Sequence, residues 1–150
     1  MNSVDSAISA VTDADIILIE EASALINRHW KRDQHGVAAA IRTADGSVFS
    51  GLHVGGRRIN ICGEQVTMGM ALSAGHKEFD TCVAVIKTLA DEEPAVTSPC
   101  GACREVLTWY APGMRVLVRD GTDVRVMLAR ELLPAPYIPP WELRGDGFRP

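Results

Sequence analysis

Between Thr12 and Arg32, apolar residues recur at Ile16, Ile19, Ala22, Leu25, Ile26 and Trp30, a three-to-four spacing that lines one face of an α-helix. Thr12 and Asp15 stand three apart ahead of this run, where each side chain can accept a hydrogen bond from the other's backbone amide and open the helix. The pattern then shortens. Val37–Arg42 and Val48–Val54 read as two strands, and Asp45-Gly46 between them is the composition of a tight hairpin turn.

Gly55, Gly56, Arg57 and Arg58 interrupt the pattern, and a second helix is expected from about Cys62 to Ala74, closed by Gly75 and weakened slightly by the interior Gly69. "TCVAVIKTL", from Thr81, is a nearly continuous apolar run, as befits a central strand covered on both faces. A third helix begins in "CGACREVLTWY" and stops at Ala111-Pro112-Gly113. "MRVLVRD" and "VRVM" follow as strands around Asp120-Gly121, and "ARELL" as a last helix.

Residues 1–12 are expected to be a flexible start, and Pro134, Pro136, Pro139 and Pro140 make 134–150 an extended tail. With no internal repeat, residues 1–150 form one domain. The order α-β-β-α-β-α-β-β-α predicts an α/β fold with a mixed five-stranded sheet between helices, three layers in all.

Composition narrows the function. With 150 residues, 47% hydrophobic and 23% charged, the chain can bury a proper core. A net charge of -4 without a basic stripe argues against duplex nucleic acid as partner, and no apolar run is long enough to span a membrane. The start lacks a basic stretch followed by an apolar one, so a cytoplasmic protein acting on a small molecule is expected. In a reducing compartment, four cysteines with three in short motifs point to metal or catalysis more than to disulfides.

Cys62 opens the second helix two residues ahead of Glu64, and Cys100 and Cys103 open the third. A buried strand lies between, so both helix starts can sit at one edge of the sheet. Three thiolates there would fill three positions of a tetrahedral zinc and leave the fourth for water. Helix N-termini favour thiolate, and Arg104 is the cation placed to offset three sulfur charges. Glu64 beside such a metal can take a proton from water and pass it to a leaving amine; alone it would merely favour the positive helix start. A solitary CxxC also fits a redox pair or half of a closed four-cysteine site. Cys82 reads as a small core residue, and His29, His35, His53 and His76 lack metal-ligand spacing with the cysteines.

"CGE" at Cys62–Glu64 followed by "PCGACRE" at Pro99–Glu105 resembles the cytidine deaminase superfamily, and cysteine as first ligand resembles its free-nucleoside branch, which includes cytidine deaminase and blasticidin S deaminase. The likeness runs from about Val37 to Leu133. It implies an α/β/α cytidine-deaminase sandwich, a homotetramer, one Zn2+ per chain on Cys62, Cys100 and Cys103, and Glu64 as proton shuttle. The implied reaction is hydrolytic deamination of a cytosine-type nucleoside, with cytidine or deoxycytidine giving uridine or deoxyuridine and ammonia. Blasticidin S or another modified cytosine is the alternative substrate; a zinc protein without catalysis is the alternative of a different class.

Several positions depart from the family pattern. Where cytidine deaminases carry Asn-x-Glu for ribose hydroxyls, this chain has His53-Val54-Gly55. "CAE" has become "CGE", the usual aromatic before the first strand is His35, and Glu105 replaces a glutamine. The His53–Cys62 loop is short, similar to blasticidin S deaminase, and "LLPAPYIPPWE" is similar to that enzyme's "LLPSGYVWE". Sugar recognition is therefore expected to be weakened, with His53 and Trp141 as candidate substrate contacts. Arg57 and Arg58 either meet an anionic or hydroxyl-rich group or are simply solvated. Tyr137 and Trp141 either close over the ligand or rest on a neighbouring subunit.

Overall fold

The computed structural model of the protein describes residues 10–145. Most of the expected flexible start, residues 1–9, lies outside the described residues, as do 146–150 of the tail.

The first helix, α1 (Asp13–His29), begins as the Thr12/Asp15 pair predicts. Thr12 Oγ1 accepts from the Asp15 amide at 3.3 Å, and Asp15 Oδ2 accepts from the Thr12 amide at 2.9 Å. Its apolar stripe buries Leu18, Ala22 and Ile26 completely, or nearly so. Each of the two larger side chains is worth about 1.5–3 kcal/mol of burial.

The strands β1 (Val37–Thr43) and β2 (Val48–Leu52) form the expected hairpin, with Ala38 opposite Leu52 and Arg42 opposite Val48. β3 (Val54–Gly55) and β4 (Asn60–Ile61) make a separate two-stranded ribbon leading into α2 (Gly63–Ser73), and Gly75 at φ 93° follows that helix. The central strand is β5 (Phe79–Ile86), antiparallel to β1 and parallel to β7 (Arg115–Asp120). The helix α3 (Gly101–Tyr110) precedes β7, and β8 (Asp123–Leu128) pairs with it on the far edge.

The main sheet thus runs β2-β1-β5-β7-β8, mixed as expected, and gains a sixth short strand, β6 (Ala95–Thr97), beside the second half of β5. Period-two alternation splits the core. Ala38, Ala40, Val83, Val85 and Leu117 face α1, while Ile41, Cys82, Val116 and Val118 face Met68 of α2 and Leu107 of α3. The result is the α/β/α sandwich. "ARELL" folds as a 3₁₀ helix, Ala129–Leu132, rather than an α-helix. The tail is not wholly extended: Pro140–Arg144 makes one helical turn, α4, because a proline fixes φ in the helical range and its missing N–H costs nothing at the first helical position. Among the described residues no helix is long and apolar enough to cross a membrane.

An ion cluster fastens α1 to the sheet at the end where β5 and β7 begin. Asp15 is fully buried, yet Arg115 holds it with both terminal nitrogens, at 2.8 and 2.7 Å, and Arg42 reaches it at 3.1 Å. Arg42 also bonds Asp80 and the Ala14 carbonyl, and both arginines reach Thr81 Oγ1. Burial pushes the Asp15 carboxyl up, but the hydrogen bonds from Arg115, the Thr12 amide and Arg42 overcome it and hold the group at about 2. A carboxyl lowered in the folded state stabilises the fold above its unfolded value and loses that stabilisation as pH falls toward the folded value. Asp15→Asn is therefore expected to cost about 2 kcal/mol at neutral pH. Urea titrations should show the gap between variant and wild type shrinking by about half from pH 5 to pH 3; a constant gap would mean that the cluster is held by packing and not by charge.

Candidate metal and catalytic site

Two helices bring their first turns together at the edge where β1 begins and β5 ends. Cys62 and Cys100 are the N-cap residues of α2 and α3, both in extended conformation (ψ 149° and 170°), and Cys103 lies one turn into α3. Their sulfurs lie within 4.8 Å of one another, with Cys62 Sγ and Cys100 Sγ 3.4 Å apart. Sulfurs on a tetrahedral zinc with bonds of about 2.3 Å stand about 3.8 Å apart, so the spacing fits that ion. Cys82 stays outside the cluster as a core residue against Leu107 and Met68.

Close packing sets the position of α2. Thr67 Oγ1 donates to the Gly63 carbonyl at 2.7 Å and approaches the Ala39 carbonyl at 3.3 Å. A Cβ on Gly63 would come within 3.1 Å of the Ala39 amide nitrogen and 3.2 Å of the Gly51 carbonyl. A Cβ on Gly51 would meet Thr67 Oγ1 at 2.8 Å. The glycine of "CGE" thus lets the first turn of α2 lie directly on the β1–β2 hairpin.

Electrostatics separates the four acidic groups. Burial raises the Cys100 thiol, but the amides and thiol of Cys103, the Cys62 thiol and the Ala102 amide hold it below its ordinary value. Burial pushes the Cys62 thiol up, as does its neighbour Cys100. Cys103 is pushed up by burial and then by Glu64. Glu64 is only 4% exposed; burial raises its carboxyl, with its own amide, the Cys103 thiol and His53 pulling the other way. A shielded carboxyl whose affinity for a proton is raised in this manner is suited to accept one and return it.

The remaining predicted residues occupy distinct places. Arg104 donates to the Pro99 carbonyl at 2.9 Å and the Leu132 carbonyl at 3.5 Å, bracing the loop that carries Cys100. His53 is near enough to act on Glu64, and its Nε2 meets Asn60 Oδ1 at 3.1 Å. Sequence reasoning passed over Asn60, because a single asparagine in a short loop carries no pattern. Gly55 is crowded: a Cβ there would meet His53 Cε1 at 3.1 Å and the Asp33 and Gln34 carbonyls at 3.2 Å. Trp141 lines a cleft of about 670 Å³ with Glu105, Trp109, Tyr137 and Pro139, and none of the three cysteines lines it. Arg57 and Arg58 are exposed in the β3–β4 loop.

Comparison with known proteins agrees with this arrangement. Residues 12–118 match the cytidine and deoxycytidylate deaminase zinc-binding region. The chain is 36% identical over 132 residues to a blasticidin-S deaminase of Bacillus cereus, covering 85% of this chain and 94% of the relative. The cytidine deaminase of Burkholderia pseudomallei superposes with a TM-score of 0.67 at 32% identity, over 85% of this chain and all (100%) of that one. The cytidine deaminase of Bacillus anthracis has the same fold, with a TM-score of 0.72 at 24% identity, covering 87% and 92% of the two chains. A profile match that spans most of the chain, with both of its cysteine motifs meeting at one sheet edge, means that this protein belongs to the cytidine and deoxycytidylate deaminase family.

Proposed function

We propose that the protein is a zinc-dependent hydrolytic deaminase of a cytosine-type nucleoside, and that Cys62, Cys100 and Cys103 hold the metal while Glu64 moves the protons. The observation that carries this reading is the juxtaposition of a buried carboxyl with three convergent thiols at two helix starts. When bound, zinc supplies the Lewis acidity that makes a water nucleophilic near neutral pH. Glu64 would take a proton from the attacking water and give it to the ring, then pass the water's second proton to the amino group as the carbon–nitrogen bond breaks. One carbon–oxygen bond forms, one carbon–nitrogen bond is lost, and ammonia and a uracil-type product leave. Because Glu64 is shielded from bulk water, the protons it carries stay on the reaction path.

Cytidine and deoxycytidine are the default substrates. A modified cytosine nucleoside such as blasticidin S is the second reading, favoured by Gly55, which carries no carboxylate for ribose hydroxyls, and by the blasticidin-S deaminase relative. Ammonia release across a panel of both classes separates them. A zinc protein without catalysis is disfavoured by the placement of Glu64, since a structural site has no use for a buried carboxyl.

The assembly we infer is a homotetramer, and the compartment the reducing cytoplasm, where four unpaired thiols persist. Met70 on α2 and Tyr137, Ile138 and Leu143 of the tail expose 44 to 74% of their surfaces, a supply of apolar area suited to contact between subunits. Trp141 and the tail then serve the neighbouring subunit or its site.

Glu64→Gln keeps the shape of the side chain and one acceptor oxygen but cannot shuttle a proton. It is expected to retain fold and zinc while kcat falls at least about 100-fold; an unchanged rate refutes the mechanism. Metal analysis should find one zinc per chain, lost in Cys62→Ala, Cys100→Ala and Cys103→Ala and kept in Cys82→Ala. Loss of zinc in Cys82→Ala with retention in Cys62→Ala would identify a closed structural site. Sedimentation should give a tetramer at micromolar concentration, and a monomer there counts against the assembly.

A further inference from the structure

Two exposed patches that the catalytic arrangement leaves unused are opposite in charge and alike in apolar character. The first is the tip of the β3–β4 ribbon. Gly55 pairs with Asn60 and the Gly56 amide donates to the Ile59 carbonyl at 2.8 Å, so Arg57 and Arg58 are the two residues of the hairpin loop. Both are exposed, and Val54, Ile59 and Ile61 beside them expose 48, 67 and 39% of their surfaces. No carboxylate stands between Val54 and Ile61, in a chain whose net charge is -4.

The second patch is the cleft of about 670 Å³ between α3 and the tail. The chain has three tryptophans and two tyrosines, and four of these five, Trp109, Tyr110, Tyr137 and Trp141, line that cleft. Glu105 and Glu142 add two carboxylates, and no lysine or arginine lines it. Among the described residues, neither ribbon arginine and neither of these glutamates forms an ion pair. Aromatic faces attract guanidinium groups, which stack on them, and a carboxylate at the same place adds a full charge and a bidentate acceptor. Such a cleft selects a cation that brings apolar surface with it. The chain's one other pair of adjacent cations, Lys31 and Arg32, is followed directly by Asp33 and has polar exposed neighbours, so the ribbon tip is the better complement.

We propose that the ribbon tip of one copy of this chain seats in the aromatic cleft of a second copy, with Arg57 and Arg58 against the aromatic faces and the carboxylates of Glu105 and Glu142, and Ile59 covered between them. The inference rests on the assembly of identical subunits proposed above and names one of its contacts. Because the two surfaces belong to different parts of the chain, a twofold axis makes the contact twice, each ribbon in the other's cleft, and the pair closes.

The test is a charge exchange read by sedimentation of the zinc-loaded chain. One variant carries Arg57→Glu with Arg58→Glu, and a second carries Glu105→Lys with Glu142→Lys. All four positions are exposed, so circular dichroism should match the wild type. Either variant alone sets like charges against each other; it should sediment at micromolar concentration as a smaller species than the wild type, the dissociation constant of the contact rising at least about 100-fold. In an equal mixture, acidic ribbons meet basic clefts and basic ribbons meet acidic clefts, and the wild-type size should return in particles that contain both variants. Wild-type assembly by either variant alone, or a mixture that stays small, overturns the proposal while the assembly itself stands. A wild type that is monomeric at these concentrations defeats the assembly reading and this contact with it.

Discussion

The structure depends on two helix starts meeting within the reach of one metal ion. Three sulfurs from α2 and α3 can converge within 4.8 Å only if both helices lie on the same face of the sheet and begin at the same edge. Chain order supplies the edge, because β5 separates the two motifs and delivers α3 back beside α2. Closeness to the sheet supplies the rest. Gly51 and Gly63 remove the two Cβ atoms that would lift α2 off the β1–β2 hairpin, and Thr67 bonds across the gap they leave. A change of a few tenths of an ångström at this contact would move Cys62 and Glu64 together, which links the packing of a glycine to the geometry of the chemistry.

The opposite end of the sheet carries a different load. There Asp15 gathers Arg42 from β1 and Arg115 from β7, with Thr81 of β5 between them. The charge is worth having because it is paired on both sides and hydrogen-bonded; an unpaired carboxylate at that depth would be strongly unfavourable. Burying polar groups at both ends, with an apolar core between, fixes the tilt of α1 and the register of β1 against β5. The metal edge is thereby left free to be shaped by its own residues.

Much of this was legible in the sequence where a pattern repeats or a motif is local. The spacing through Ala22 and Ile26 marked the buried face of α1, though Ile16 is exposed and Leu18 enters the core instead, the apolar run after Thr81 marked the central strand, and "CGE" with "PCGACRE" marked the chemistry. What was missed depends on residues distant in sequence. Asp15 reads as a capping residue, and nothing local shows that its partners stand 27 and 100 positions away. β6 has three residues beyond Pro94, too few for alternation to register, and exists because it can pair with the half of β5 that β7 leaves without a partner strand. "ARELL" has helical propensity but too little length, and the tight 3₁₀ form suits a turn that must return to α3. Asn60 acquires meaning only when the ribbon folds it beneath His53.

The two halves of the site are built on different supports, and this has a consequence for how the protein can vary. The three cysteines and Glu64 sit on the first turns of α2 and α3, which the sheet holds. Beside them stands a two-residue ribbon, whose strand β3 also bonds the 31–35 turn through the Gly55 amide and the Gln34 carbonyl at 3.2 Å. That turn, with Asp33 at φ 63°, puts the Asp33 and Gln34 carbonyls 3.2 Å from where a Cβ on residue 55 would stand. A side chain there would require the turn and the His53 ring to give by a few tenths of an ångström, so the glycine and the turn are fitted to each other. Separation of this kind would let the short loop change while Glu64 and the cysteines keep their places on the first turns of α2 and α3.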